Sequence, residues 1–143
     1  VREAIGHLDN EFRAQGISLI QSLDKVLPLV RADWILLVQV LLNLLGNARD
    51  AVQQNREGHR IIKIGTTANE QDLAVTVEDN GVGLPADADR IFDAFVTTKD
   101  NGLGMGLAIA KSIVEAHDGR ICATSLADRG TLLKLSIPRK SAR

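Results

Sequence analysis

The strongest constraint on the fold is the segment from Trp34 to Val52, where nearly every residue is apolar and the exceptions are Gln39, Asn43, Asn47, Arg49 and Asp50. Asp33 supplies an N-cap, so the segment is predicted to be a helix reaching about Gln54. Gln39, Asn43, Asn47 and Asp50 follow at spacings of four, four and three, which places them along one helical ridge. A helix this apolar is expected to be buried, and each buried amide left unpaired costs about 1–3 kcal/mol. The ridge is therefore either satisfied by neighbouring backbone or turned toward a cavity that holds a ligand. In the second case asparagine oxygens suit a hard cation such as magnesium, which also keeps water and phosphate oxygens in its shell.

Around this helix the sequence predicts a mixed architecture. Glu3–Gln15 is charged and loosely periodic, a short helix or the end of one, stopped by Gly16. Ile17–Leu23 and Leu27–Val30 read as two short strands around Asp24-Lys25. After a loop at Asn55–His59, Arg60–Thr67 and Asp72–Glu78 read as a hairpin pair. In the second, Leu73, Val75 and Val77 alternate with Ala74, Thr76 and Glu78, the period of a half-buried strand. Asp79–Asn101 is mostly loop with a turn near Ile91–Phe92. A second helix follows from about Gly104 to Ala116, stopped by Asp118-Gly119. Arg120–Leu126 and Thr131–Ile137 then form two strands around Asp128-Arg129-Gly130. The predicted class is α+β, a two-layer sandwich with an antiparallel-rich sheet covered by helices on one face.

Bulk properties narrow the function. At 143 residues the chain has room for one core. A formal net charge of -1 gives no overall attraction to nucleic acid or an anionic membrane, though a local cationic pocket for phosphate stays open. Cys122 has no cysteine to pair with, which excludes an internal disulfide and a cysteine zinc site. The longest apolar run, Trp34–Val38, falls short of the roughly 20 residues of a membrane span. Starting at Val1 without a signal-peptide pattern, the chain is expected to be a fragment of something longer, and its basic tail, residues 139–143, to be solvated.

Two glycine clusters point to a nucleotide. Asp79-Asn80-Gly81-Val82-Gly83 follows a strand; it is a turn signal, and its glycines would also let a flat ligand approach the backbone. A carboxylate at the strand end could accept the exocyclic N–H of an adenine. Gly102-Leu103-Gly104-Met105-Gly106-Leu107 runs into a helix, where free N–H groups and the positive dipole end favour phosphate. Thr97-Thr98-Lys99 just before it offers hydroxyl donors and one ammonium to the same phosphates.

Together these residues resemble the ATP-binding domain shared by histidine kinases, DNA gyrase, heat-shock chaperone ATPases and mismatch-repair ATPases, over about Ile17–Pro138. Asn43-Leu44-Leu45-Gly46-Asn47-Ala48 resembles the N box, and Asp79-x-Gly81-x-Gly83 the first glycine box. Phe92-x-x-Phe95 resembles the F box, Gly102-x-Gly104-Met105-Gly106-Leu107 the second glycine box, and Gly130-Thr131 the third. The resemblance implies a Bergerat-type mixed sheet under helices, with ATP and Mg2+ as ligands. It implies Asn47 as magnesium ligand, Asn43 beside the phosphates, Asp79 on the adenine amino group, and Gly83 and Thr131 bordering the base, with Asp50 and Gly81 also among the nucleotide-binding residues. Thr98, Lys99, Gly102, Leu103, Gly104, Met105, Gly106 and Leu107 would line or cover the phosphates. The Thr97-Thr98-Lys99 run is most similar to sensor kinases of the oxygen- and nitrogen-regulation type.

The chemistry expected is transfer rather than hydrolysis. In the ATPase branches the position of Asn43 carries a glutamate that activates water, and an amide cannot take that proton. Asn43, Asn47 with magnesium, and Lys99 would suffice for phosphoryl transfer, where the protein mainly positions and neutralises charge. A gyrase-like hydrolase and a non-catalytic nucleotide-binding module are the competing readings. The resemblance places the acceptor histidine on a preceding helical hairpin, with residues 1–15 as its end or a linker, 16–138 as the ATP-binding domain, and a response regulator downstream. It implies a cytoplasmic domain, monomeric in isolation, from a homodimeric parent. His7, in Gly6-His7-Leu8-Asp9, lacks the acidic residue and proline of the phosphorylated-histidine motif; His59 reads as a loop residue and His117 as structural, its charged form favoured at a helix C-terminus. Nucleotide binding without efficient self-phosphorylation is therefore expected: with labelled ATP the chain should stay unlabelled, and stoichiometric acid-labile label on any of the three histidines would contradict this.

Overall fold

The computed structural model describes residues 2–24, 33–56, 58–83, 91–92, 106–127 and 129–139. Among them lie helices α1 (Arg2–Ala14), α2 (Trp34–Val52) and α3 (Gly106–Ala116) and strands β1 (Ile17–Ser22), β2 (Arg60–Ala68), β3 (Asp72–Asp79), β4 (Arg120–Ser125) and β5 (Thr131–Pro138). The sheet order is β1-β2-β3-β5-β4, with β1 parallel to β2 and the other neighbours antiparallel. This is the α+β class, with a mixed and mostly antiparallel sheet, that the sequence predicts. The segment Leu27–Val30, read as a strand, lies outside the described residues, as does Gly104 at the expected start of α3.

Strand alternation decides which side of the sheet meets the helices. Ile62, Ile64, Val77, Leu133, Leu135 and Ile137 share one parity across the β2–β3–β5 registers, and all are buried. Neighbours of opposite parity face solvent: Lys63 and Glu78 stand opposite each other and form an ion pair at 3.6 Å. The helices cover the apolar side. From α2 come Val40, Leu41, Leu44, Leu45, Ala48 and Val52, at helical spacing; Ala110, Ile113 and Val114 come from α3. Ile5 and Phe12 of α1 join the same cluster, so this helix is an integral part of the core. Fully burying each such side chain stabilises by about 1.5–3 kcal/mol.

The ends of α2 are closed by partners distant in sequence. At its start Asp33 is extended (φ -81, ψ 112), and its Oδ1 accepts from the N–H groups of Ile35 at 3.0 Å and Leu36 at 3.2 Å. At its end the helix stops at Val52, short of Gln54, where the Arg60 guanidinium from β2 donates to the carbonyls of Gln53 and Asn55. The same guanidinium donates at 2.7 Å to the carbonyl of Gln15, just past α1. Arg60 thus ties the exits of two helices to one strand.

One expectation is corrected. The helix is not buried all round: Ile35 is 80% exposed, and Leu36, Gln39 and Leu42 are also exposed, because only one side of α2 meets the sheet and α3. By length and composition Ile35–Val52 could cross a membrane, yet its fully buried residues line the side against the sheet, the pattern of a core helix. Just past β5, exposed Arg139 is tied back to the sheet. Arg139 donates its backbone N–H to the Gln71 carbonyl and its guanidinium to that of Asn69, extending the β3–β5 pairing past Pro138.

Candidate functional site

Asp79 continues the inward parity of β3 after Val75 and Val77, which places a carboxylate at the core side of the sheet, where it is 3% exposed. It stands across from Thr131 on β5 and Ile62 on β2. Its Oδ1 accepts the Gly81 N–H at 2.8 Å. Burial pushes its pKa above the ordinary 3.8; the Gly81 and Thr131 amides pull the other way, and the Glu78 charge adds a smaller upward push. A titrating group this deep, at the end of a strand and opening onto a glycine turn, is a candidate binding group.

The turn is built around that carboxylate. Gly81 packs on the end of α2, where a Cβ would come 2.2 Å from the Ala51 carbonyl oxygen, and the Val82 N–H donates to that same oxygen at 3.2 Å. Its lack of a side chain is therefore demanded by the helix. Gly130 is held as tightly, with φ 116 and a Cβ position that would collide with the Asp79 carbonyl oxygen. Gly83, at φ 80, meets nothing closer than 3.6 Å.

Asn80 is committed to the scaffold. Its Oδ1 accepts from the Ile61 N–H at 3.0 Å and its Nδ2 donates to the His59 carbonyl at 2.9 Å. Asn55 donates to the Asn80 backbone carbonyl at 3.0 Å, and Arg129 donates to the Gly81 carbonyl at 2.9 Å. The sequence reading missed Asn55, Arg60, Asn80 and Arg129 as parts of this frame. Their partners lie up to 74 residues away, and no local pattern marks them.

The α2 ridge divides. Gln39 is exposed, so it leaves the expected row, while Asn43, Asn47 and Asp50 are half-buried and not sealed in hydrocarbon. Asn43 donates from Nδ2 to the Gly106 carbonyl at 3.1 Å, fixing the start of α3. Asn47 makes no hydrogen bond among the described residues. Asp50 pairs with Arg49 at 3.5 Å and has further interactions. Ala51, whose carbonyl receives the Val82 N–H of the turn, lies one helical turn beyond Asn47 on α2. Gly106 is exposed and Leu107 half-buried against the core at the head of α3. Thr98, Lys99, Gly102, Leu103, Gly104 and Met105 lie outside the described residues.

A second clamp joins the far ends of α2 and α3. His117 receives the Asp33 N–H on Nε2 at 2.9 Å while its Nδ1 meets the Ile113 carbonyl at 2.7 Å. The imidazole thus bridges the backbone ahead of α2 to the last turn of α3. His59 is exposed and His7 lies exposed on α1.

As to metals, no group of three or more His, Cys, Asp or Glu side chains converges among the described residues. A cation here would depend on Asn47 together with oxygens supplied by water or a ligand, a donor set that suits magnesium.

The model of the family described as histidine kinase-, DNA gyrase B- and HSP90-like ATPase matches residues 32–141. The sensor protein FixL of Bradyrhizobium diazoefficiens is 39% identical over 127 residues, which cover 88% of this chain and 25% of FixL. The chain thus spans about a quarter of that relative's length. The catalytic domain of the histidine kinase ThkA superposes with a TM-score of 0.84 at 29% identity, covering 98% of this chain and 92% of that one. A further structure holds ThkA in complex with the response regulator protein TrrA, with a TM-score of 0.81 at 28% identity and coverage of 97% and 39%.

The buried carboxylate yields a pH prediction. Because the Asp79 pKa is raised on folding, its favourable contribution is complete below 3.8 and is lost as pH rises through the folded value. Urea unfolding of Asp79→Asn should show greater stability than the unmodified chain at neutral pH, with the difference shrinking toward acid; curves that run parallel at all pH values would contradict this.

Proposed function

The chain belongs to the histidine kinase-, DNA gyrase B- and HSP90-like ATPase family as a histidine kinase catalytic ATP-binding domain, and from that premise we propose how its residues divide the work. Asp79 accepts the adenine amino group, with Gly83 and Thr131 beside the base. Asn47 ligates the magnesium ion, Asp50 and Asn43 border the phosphates, and Lys99 with Thr98 neutralises their charge. Gly102, Leu103, Gly104, Met105, Gly106 and Leu107 cover them. The observation that carries the reading is the pairing of a buried carboxylate with an open amide: Asp79 at the strand end, and Asn47 on the helix that receives its turn.

The chemistry follows from what each group can do. When bound, magnesium supplies charge neutralisation between phosphate oxygens. Asn43 spends its Nδ2 on the Gly106 carbonyl and so sets the head of α3, whose free N–H groups face phosphate. It carries no carboxylate, so this position offers no base to activate water, which supports transfer over hydrolysis. In the transfer, the bond from the γ-phosphorus to its bridging oxygen breaks and ADP leaves with the electron pair. A bond forms to the unprotonated imidazole nitrogen, and the other ring nitrogen then gives up its proton. That imidazole belongs to a helical-hairpin domain of the parent protein, from which a response regulator takes the phosphoryl group, as the ThkA–TrrA complex suggests. The parent is a homodimer joined through the hairpin, and this domain works in the cytoplasm, where ATP is supplied.

Calorimetric titration with a non-hydrolysable ATP analogue tests the assignment. Magnesium should strengthen binding to the unmodified chain, and Asn47→Ala should remove that gain, roughly a tenfold loss of affinity for one missing ligand contact. An unchanged response to magnesium in Asn47→Ala would remove Asn47 from the metal site.

A further inference from the structure

Resting on the reading that Asp79 receives the base, we propose that Arg129 is a positioning residue for nucleotide recognition, holding the Asp79-x-Gly81-x-Gly83 turn from the solvent side and so fixing the direction in which the carboxylate points. Arg129 is exposed, in the connection between β4 and β5 and 48 residues from Gly81. Its Nε donates to the Gly81 carbonyl at 2.9 Å, and a terminal nitrogen donates to Asn55 Oδ1, also at 2.9 Å. Asn55 in turn donates through Nδ2 to the Asn80 carbonyl at 3.0 Å and lies 3.2 Å from Asn80 Oδ1. Both successive carbonyls of the turn, Asn80 and Gly81, are therefore held by donors from outside it.

The consequence for Asp79 is direct. The Gly81 N–H aims the carboxylate through Oδ1 at 2.8 Å, and the carbonyl of that same residue is the one that Arg129 holds. Glycine has the widest backbone freedom, so a glycine whose amide orients a binding group gains most from a fixed carbonyl. A planar guanidinium engaging two acceptors fixes direction in a way that a single ammonium does not. Among the described residues none of its hydrogen bonds reaches the α2 amides, so the effect should fall on the base and not on the phosphates.

The test uses the whole chain with Arg129→Ala, Arg129→Lys and, as control, Arg139→Ala, whose contact with Asn69 lies at the far end of the sheet. Each is titrated with ADP and with the corresponding diphosphate of purine riboside, which lacks the exocyclic amino group, and its melting temperature is recorded. The unmodified chain and Arg139→Ala should prefer ADP. Arg129→Ala should weaken ADP by about tenfold, the loss of one charge-assisted hydrogen bond, with little change for the purine analogue. Arg129→Lys should recover part of the preference. If Arg129→Ala keeps the full preference, or weakens both nucleotides equally, Arg129 does not position the base-reading group and the proposal is overturned. If the unmodified chain binds ADP without preferring it, the reading of Asp79 itself fails, and the proposal falls with it.

Discussion

A carboxylate that must lie inside the protein governs the rest of this structure. Asp79 ends β3 on the parity of Val75 and Val77, so the alternation that buries two valines also buries a charge. A charge in that position survives only with donors close by. The Gly81 and Thr131 amides supply them, which in turn requires the chain to fold back within two residues and β5 to pass directly alongside. Gly130, whose backbone comes too near the Asp79 carbonyl for any side chain, follows from the same demand. The turn, the glycine and the strand crossing are consequences of one buried acid.

Helix α2 answers the same demand from the other side. Its apolar edge closes the core through Val40, Leu44, Leu45, Ala48 and Val52, while its Asn43–Asn47–Asp50 edge stays half-open. The Ala51 carbonyl, near the end of the helix, takes the Val82 N–H, which ties the Asp79 turn to α2. Two side chains bind α3 to α2 in antiparallel fashion: Asn43 at the head of α3, and His117 at its tail, on the Asp33 cap. One helix therefore serves as wall of the core, support of the Asp79 turn and anchor for the head of α3.

Much of this was legible in the residues. Alternation in β3 and the apolar length of α2 are local signals, and both elements stand where the sequence put them, with the glycine boxes in family order. What was not legible depends on long-range packing. Periodicity could group Gln39 with Asn43, Asn47 and Asp50, but it could not tell that the sheet and α3 would leave Gln39 in solvent. The Ala51 carbonyl that Gly81 must clear, thirty residues earlier, is invisible in sequence. Arg60 and Arg129 carry no local mark, since nothing near them in sequence shows which carbonyls they meet. His117 read as structural, but its partner, the Asp33 N–H 84 residues away, left no local mark.

The central claim, that the strand-end acid and the helix-edge amide form one nucleotide site, is tested most directly by two-dimensional 15N–1H spectra during titration. Adenosine should shift the backbone amides of Gly81, Gly83 and Thr131 and leave the Asn47 side-chain amide nearly in place. An ATP analogue with magnesium should move both sets together. Shifts confined to other parts of the chain, or an Asn47 side chain indifferent to the complete ligand, would contradict the account.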